Sequence, residues 1–162
     1  MPKNVMSNLL HPYEYKLKGE VYVFTTIQGY EYSAYFIAMN SITEIDNLYQ
    51  FSFESCEDIH NCYDSRVADT ICTILNDFFK KNNNALIIVC DDTDNRGAAR
   101  KRLFQQWYLR VQNNLINKYD KQFRSADYDI YASLLIHKDN ADSPKILEVF
   151  SHFSESWFYP ES

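Results

Sequence analysis

Glycine is scarce in this sequence, and so are the loops that glycine makes possible. The 162 residues include only three glycines, Gly19, Gly29 and Gly97. Neither Gly-x-x-x-x-Gly-Lys-Ser/Thr nor Gly-x-Gly-x-x-Gly occurs, so the chain lacks the loops that cradle phosphates in P-loop NTPases and in dinucleotide-binding folds. The sequence therefore excludes a site of either kind.

Metal-binding patterns of cysteine and histidine are also missing. The four cysteines form no Cys-x-x-Cys pair and the four histidines are isolated, which argues against a zinc site. Cys72 and Cys90 lie within apolar patterns, which predict buried thiols. Cys56 and Cys62 would be able to form a disulfide only in an exported protein.

Long apolar runs and an excess of positive charge are absent as well. No run approaches membrane-spanning length, and residues 1–20 contain no basic-then-apolar signal region, so we expect a cytoplasmic, reduced protein that contacts no membrane. The formal net charge of -6 disfavours broad nucleic-acid binding. A protein partner fits this composition better, and a basic protein such as a toxin is one form of that partner.

The sequence is rich in aromatic residues, with 13 tyrosines and 11 phenylalanines, which favour sheets with half-buried faces. Alternating apolar and polar side chains predict a short edge strand over 13–17. Further strands are predicted over 20–26, 30–39 and 48–54, and together they form an antiparallel meander. The polar residues 40–47 are predicted to form a loop.

Three helices are predicted in the second half of the chain from apolar residues at helical spacing. The first follows an N-cap at Asp64 or Ser65. The second runs over about 96–117 on the same spacing argument. The third begins with Ser143 as its N-cap and Pro144 at its first helical position.

Two predicted strands and a loop lie between these helices. Residues 86–90 are continuously apolar, which is typical of a strand buried on both faces. A strand, a helix and a strand in succession predict a crossover that brings this strand beside the meander. Residues 120–126 are predicted to form a loop, and residues 128–137 the last strand.

The whole chain, 1–162, is expected to form one α+β domain with a mixed sheet and packed helices. Its order is a three-stranded antiparallel meander, then helix, strand, helix, strand and helix. This order resembles that of the ribonuclease H-like fold, although likeness of order alone transfers no activity. Residues 1–12 are predicted to be irregular, and the aromatic tail 157–162 to pack on the body or to meet a partner.

Three acids, Asp91, Asp92 and Asp94, follow the buried apolar run. They stand at the carboxyl end of a predicted strand, where ligands of open α/β sheets gather. Clustered carboxylates at that place are suited to Mg²⁺, which prefers oxygen ligands. A metal-dependent nuclease or phosphoryl-transfer enzyme built on these acids is therefore the alternative function, with Mg²⁺ as its cofactor.

A metal site of this kind needs further ligands. The ribonuclease H-like nucleases also require an acid in the first strand, and residues 21–26 contain none. Asp69 on the first predicted helix and Glu148 or His152 on the third match the remaining places by position only. The competing interpretation is that the acids after the strand cap the second helix and offset its dipole.

Four bases, Arg96, Arg100, Lys101 and Arg102, crowd the first two turns of the second predicted helix. Cations at a helix N-terminus oppose the helix dipole, so a negative group is expected to offset them. That group is either the neighbouring acid cluster or an external anion, such as a phosphate or a carboxylate of a partner. Arg96, Arg100 and Arg102 are the candidate anion-binding residues.

Two stretches resemble a known family. They are Val-Tyr-Val-Phe-Thr-Thr-Ile-Gln-Gly-Tyr-Glu-Tyr at 21–32 and Cys-Asp-Asp-Thr-Asp-Asn-Arg-Gly-Ala-Ala-Arg-Lys-Arg-Leu-Phe-Gln-Gln-Trp at 90–107, with Asp-Thr-Ile at 69–71 and Phe-Phe at 78–79 between them. With these motifs the chain resembles domain of unknown function 6169, a family of small bacterial proteins mainly from Bacteroidetes. The resemblance covers residues 20–137. It implies a bacterial, cytoplasmic protein, and it brings no established activity.

The predicted function is that of a non-enzymatic binding or interaction protein without a cofactor. The acidic balance, the aromatic tail and the lack of a complete catalytic set favour it over the metal-dependent alternative. The two hypotheses differ in one structural requirement. The enzyme needs further acids that converge within metal reach of Asp91 or Asp92, whereas the binding protein pairs these acids with Arg96 and Arg100.

Overall fold

The computed structural model describes residues 10–55, 64–91, 97–111, 114–124 and 129–153. In these ranges the description excludes the side chains of Ser55, Asp91, residues 97–100, 102, 103 and 111. The described chain forms one mixed sheet of seven strands together with four helices. The predicted α+β class is therefore confirmed.

The first four strands form an antiparallel meander. They are β1 (Tyr15–Lys18), β2 (Val21–Thr25), β3 (Glu31–Ala38) and β4 (Leu48–Ser55). Alternate residues of each strand point to opposite faces, so most of the aromatic side chains collect on one face, whereas Tyr35 points to the other. Gly29 has φ of 90° in the turn between β2 and β3, a conformation that favours glycine. The predicted meander, including its short edge strand, is confirmed.

The segment between β3 and β4 was predicted as a loop, and it contains one helical turn, α1 (Asn40–Thr43). The Thr43 hydroxyl donates to the carbonyl oxygen of Met39 at 2.8 Å. Glu44 then has a positive φ of 60°, which ends the turn. A single turn carries no periodicity, so the pattern of polar residues does not distinguish it from a loop.

The first long helix, α2 (Ser65–Phe78), begins where the sequence predicts. The carboxylate of Asp64 accepts the backbone N–H of Arg66 at 2.9 Å, which confirms Asp64 as the N-cap. The next strand, β5 (Ala85–Asp91), pairs with β4 in parallel. The predicted crossover from the meander to a buried strand is thus confirmed.

The second long helix, α3 (Gly97–Val111), is shorter than the prediction of 96–117. Asn114 has φ of 65°, and the chain continues as a strand, β6 (Ile116–Arg124). The predicted helical end and the predicted loop at 120–126 are therefore wrong. The conformation of Asn114 is left-handed, and a right-handed helix does not continue through such a residue.

The spacing of apolar residues in β6 explains this error. Ile116, Tyr119 and Phe123 stand three and seven residues apart, as on one face of a helix. The intervening side chains are polar because β6 lies at the edge of the sheet, where much of its surface meets solvent. β6 pairs antiparallel with β7 (Asp129–His137) over nine residues in unbroken register.

The last described helix, α4 (Ser143–Ser151), has Asp142 as its N-cap residue. The backbone N–H of Ile146 donates to the carbonyl oxygen of Asp142, so Ser143 already belongs to the helix. The prediction of Ser143 as the N-cap is wrong by one residue. Pro144 still stands in the first turn, where its missing N–H costs no hydrogen bond.

The order of strands in the sheet is β1-β2-β3-β4-β5-β7-β6, and each face is covered by its own hydrophobic core. Helices α2 and α3 pack on one face, and α4 packs on the other. The core under α2 and α3 includes Phe24, Ala34, Ile71, Cys72, Leu86 and Trp107. The core under α4 includes Leu48, Ile87, Leu134, Ile136, Ile146 and Phe150.

The observed order of elements differs from the ribonuclease H-like order, because β6 separates α3 from β7 and four strands precede α2. That resemblance is not confirmed. The aromatic tail at 157–162 and the cysteines Cys56 and Cys62 lie outside the described residues, so the predictions for them stay predictions. Within the described ranges, no helix has the length and hydrophobicity needed to span a membrane.

Candidate functional site

Most of the predicted site residues fall outside the described side chains. Asp91 closes β5, and only its backbone is described. Asp92, Asp94 and Arg96 lie in residues 92–96, outside the described ranges. Arg100 and Arg102 belong to α3, but their side chains also fall outside the description. The predicted pairing of these acids and bases therefore stays a prediction.

The other acids proposed for a metal site do not converge. Asp69 lies on α2, whereas Glu148 and His152 lie on α4 or at its end, and these two helices cover opposite faces of the sheet. Asp69 accepts two hydrogen bonds, from Nε of Arg110 at 3.2 Å and from the backbone N–H of His11 at 3.1 Å. Among the described residues, no group of three or more histidine, cysteine or acidic side chains is placed to hold a metal ion.

The described residues do form a groove between α3 and the end of the sheet. One base of the predicted cluster, Lys101, projects toward this end, and its Nζ lies 4.8 Å from the ring centroid of Tyr131 on β7. A small cavity beside it and an open groove share two lining residues, Gln105 and Lys118. The cavity and the groove are also lined by Tyr108, Leu109, Asp120 and Ser133.

A charged cluster on β6 and β7 forms one wall of this groove. Lys118 and Asp120 are two residues apart on β6, so their side chains point to the same face. Nζ of Lys118 lies 2.5 Å from Oδ1 of Asp120, and the hydroxyl of Ser133, directly opposite on β7, donates to the same oxygen at 2.6 Å. The Lys118 side chain is only 13% exposed, so its charge is held within the wall rather than in solvent.

The environment of Asp120 decides what this cluster can do chemically. Burial alone would raise the pKa of Asp120, but the hydrogen bonds from Lys118 and Ser133 and the charges of Lys118 and Lys101 outweigh it and lower the pKa. Asp120 is therefore ionised at neutral pH and accepts protons poorly. The cluster does not suit nucleophilic catalysis by Ser133, because such catalysis needs a base that removes the hydroxyl proton.

The helical wall of the groove is attached to the strand wall by Tyr108. Its hydroxyl donates to the carbonyl oxygen of Ile116 at 2.9 Å, and burial raises the pKa of this phenol. Nζ of Lys118 lies 5.9 Å from the Tyr108 ring centroid. Each of the two groove lysines thus lies over a tyrosine ring, an arrangement that stabilises a cation without a formal negative charge.

Only one part of this groove was predicted from the sequence, the basic start of α3 that contains Lys101. Lys118, Asp120 and Ser133 were missed, because the predicted helix ran to about residue 117 and residues 120–126 were predicted as a loop. The strand that lies opposite Ser133 was therefore not predicted. The available signal was the spacing of Lys118 and Asp120, which places two opposite charges on one face only if the segment is a strand.

Comparisons with known proteins give one match. Residues 63–152, which are 90 of the 162 residues, match the family model described as "Family of unknown function (DUF6169)". Searches of curated proteins and of solved structures each found no match. The matched range runs from the start of α2 to the end of α4 and includes every residue of the groove. The chain therefore belongs to this family of unknown function, DUF6169.

Proposed function

We propose that this protein is a non-enzymatic binding protein, and that the groove between α3 and the β6–β7 edge receives a carboxylate of a protein partner. The observation that carries this proposal is the pair of ammonium groups on Lys101 and Lys118. Among the described lining residues these contribute two positive charges, and Asp120 contributes one negative charge, which leaves a net charge of +1. An anionic group of the partner would neutralise this positive charge.

The position of Lys101 makes it the residue that meets the ligand. Lys118 is already paired with Asp120, whereas no carboxylate among the described residues lies within ion-pair distance of Lys101. Arg100 and Arg102 flank it on the same helix and raise the local positive potential along the chain. A carboxylate would pair with Lys101 beside the Tyr131 ring, in a site shielded on one side from water.

The groove also supplies apolar contacts, which favour a peptide over a free inorganic anion. The rings of Tyr108 and Tyr131 line it, and Leu109 at its rim is 68% exposed. An isolated exposed leucine needs no explanation, but one beside a charged groove offers contact area to the partner's backbone and side chains. The chain as a whole carries a net charge of -6, so a partner that is basic overall and presents one acidic side chain fits both features.

The test uses a blocked Lys-Leu-Glu-Leu-Lys peptide as the probe, because this peptide is basic overall and presents one carboxylate beside apolar side chains. The ¹⁵N-labelled protein would be titrated with it, and we expect the amide shifts to concentrate on α3, β6 and β7. Lys101→Gln should weaken binding roughly fivefold, which corresponds to about 1 kcal/mol for one charge-assisted contact near the surface. Lys145→Gln is the matched control, because it removes the same charge from an exposed position on α4, on the other side of the sheet.

Two results would count against this proposal. One is equal weakening by both substitutions, which would mean that the peptide responds only to the overall charge. The other is the absence of saturable shifts at millimolar peptide. Inorganic phosphate serves as a second probe, and tighter binding of phosphate than of peptide would contradict the assignment of a carboxylate ligand.

The metal-dependent enzyme remains the competing proposal for Asp91, Asp92 and Asp94. Thermal unfolding with and without millimolar Mg²⁺ or Mn²⁺ separates the two ideas. A binding protein should show no metal-dependent rise in melting temperature, whereas a specific site that binds only the folded protein would raise it. Asp91→Asn provides the control, since it should abolish any stabilisation that comes from this cluster.

We place this binding role in the bacterial cytoplasm. The resemblance of the motifs at 21–32 and 90–107 to the bacterial family supports a bacterial origin. Cys72 is buried and forms no disulfide, which agrees with a reducing compartment. Burial raises the pKa of the Cys72 thiol to about 12, so this cysteine stays protonated and unreactive.

A further inference from the structure

Strand β6 is a long and regular edge of the sheet. Its nine residues pair with β7 without a bulge, and no other described strand lies on its outer side. An exposed edge presents unpaired N–H and C=O groups that are able to pair with another strand. An edge of this kind needs either protection or a partner.

Strand β6 lacks three common protections of an edge, although its last residue, Arg124, is exposed. Lysine side chains that extend into solvent often protect edge strands, as do prolines and bulges. β6 has no proline, and both of its lysines are bound to their own chain. Lys118 pairs with Asp120, and Nζ of Lys121 donates to the carbonyl oxygens of Ser151 at 2.8 Å and Phe153 at 2.9 Å.

The opposite edge of the sheet shows the protection that β6 lacks. Strand β1 has only four residues, and Lys16 and Lys18 in it are exposed. No carboxylate among the described residues lies within ion-pair distance of either lysine. A short strand with solvated lysines resists pairing, so the two edges of one sheet differ in their capacity to bind another strand.

We propose that β6 is a dimerisation edge, through which two copies of this chain pair antiparallel and join their sheets. The charges of β6 select one register, in which Lys118 of each copy lies opposite Asp120 of the other. Tyr119 then lies opposite its own counterpart on the twofold axis. Residues 116–122 of each copy take part, and the two ion pairs join into one cluster of alternating charge.

Neighbouring registers are disfavoured by the same charges. An antiparallel pairing that keeps α3 on the same side in both copies changes register in steps of two residues. One step in one direction puts Asp120 opposite Asp120, and one step in the other puts Lys118 opposite Lys118. Like charges directly opposite each other destabilise a strand pair. A register that sets Asp120 opposite Arg124 keeps opposite charges but pairs only residues 120–124.

The other face of the edge also suits a second copy. Tyr119 points away from α3 and is 39% exposed, although it is a large aromatic residue. In the proposed register the two Tyr119 rings meet across the axis, where an aromatic pair adds stability to a strand pair. Contact through β6 leaves the pairing of Lys118 with its own Asp120 in place, so this inference does not depend on the proposed function.

The first experiment measures mass in solution by sedimentation equilibrium on the full chain. We expect about twice the 19.2 kDa mass of one chain at concentrations of roughly 100 μM, where a dissociation constant in the micromolar range gives mostly dimer. Tyr119→Lys places two like charges on the axis and should weaken dimerisation at least tenfold. Gln122→Lys is the matched control, because in this register position 122 lies opposite the uncharged Ile116.

A monomer at 100 μM would overturn the proposal, and so would a dimer that persists in Tyr119→Lys. Circular dichroism of each variant must show an unchanged fold, so that loss of the dimer reports on the edge alone. A second measurement tests the register in the Cys56→Ser/Cys62→Ser background, with a short bismaleimide. Tyr119→Cys should cross-link between copies, whereas Asn117→Cys should not, since its counterpart is about 13 Å away, four residues along a strand. Cross-linking at 117 without cross-linking at 119 would overturn the register.

Discussion

If Asp69 is a structural acid rather than a metal ligand, replacing its carboxylate should destabilise the metal-free protein. Asp69→Asn should lower the free energy of unfolding. The carboxylate has two acceptor oxygens in use, one toward Nε of Arg110 and one toward the backbone N–H of His11. An asparagine has only one acceptor, so its NH₂ group must face one of these two donors.

The magnitude follows from these contacts. The side chain of Asp69 is 12% exposed and that of Arg110 is 27% exposed, so solvent screens this pair less than an ion pair at the surface. Loss of one charge-assisted hydrogen bond and of the ion pair should cost about 2 kcal/mol. For a chain of this length that is a fall in melting temperature of roughly 4–8 °C.

Asp77→Asn on the same helix is the matched control. Asp77 pairs with Lys80 at 3.1 Å, but these side chains are 56% and 76% exposed, and such a pair contributes less than about 1 kcal/mol. Urea unfolding followed by circular dichroism would measure both variants. Loss of a carboxylate from a metal site commonly leaves the metal-free protein as stable or more stable. An Asp69→Asn protein as stable as wild type would therefore refute the structural interpretation.

Two further predictions concern β6. Lys121→Met should lower the free energy of unfolding in urea by about 1 kcal/mol, because the carbonyl oxygens at the end of α4 lose a charged donor. The control, Lys145→Met, should change the free energy of unfolding by less than about 0.5 kcal/mol. Equal effects of the two substitutions would contradict the role given to Lys121. The pKa of Asp120 is lowered in the folded state, so its ionised form stabilises the fold at any pH above the ordinary carboxyl pKa of 3.8. This stabilisation is lost as the pH falls through the lower pKa of the folded state. Between pH 6 and pH 3 the free energy of unfolding should fall more steeply for wild type than for Asp120→Asn. Parallel curves would show that the Asp120 carboxylate contributes nothing to stability.

The parts of the fold that the sequence predicted are those whose burial repeats with the period of the element. The meander strands alternate because one face is buried, and β5 is continuously apolar because helices cover both of its faces. Helix α2 has its N-cap and its apolar stripe within one short segment. In each case the information lies within a single element, so no knowledge of its neighbours is needed.

Strand β6 was mispredicted because its pattern depends on a neighbour. Lys118 and Asp120 face α3, a helix, and compensate each other, so they occupy an inner face without being apolar. Tyr119, Lys121 and Phe123 face the side of α4, where Lys121 reaches the helix end. A strand with polar residues on both faces has no periodicity of two in its hydrophobicity, and the helical spacing of its few apolar residues then determined the prediction.

The same reason explains why the groove was only half predicted. Lys101 belongs to a run of bases that is visible in the sequence, whereas Ser133 meets Asp120 only through the pairing of β6 with β7. That pairing joins residues 13 positions apart across the segment 125–128, which no local rule connects. A site assembled from cross-strand partners becomes predictable only when the register of the strands is known.

Strand β6 takes part in both proposed contacts, although its sequence has no strand periodicity. Its α3 face forms a wall of the groove, and Lys121 on its other face fixes the end of α4. Because both lysines are bound within their own chain, neither extends past the outer edge into solvent, where it would repel another strand. A protein with net charge -6 thus has a locally positive groove beside an edge strand that no other described strand covers. We propose that charge at this end of the molecule serves contact with other molecules rather than solvation, as a binding protein requires.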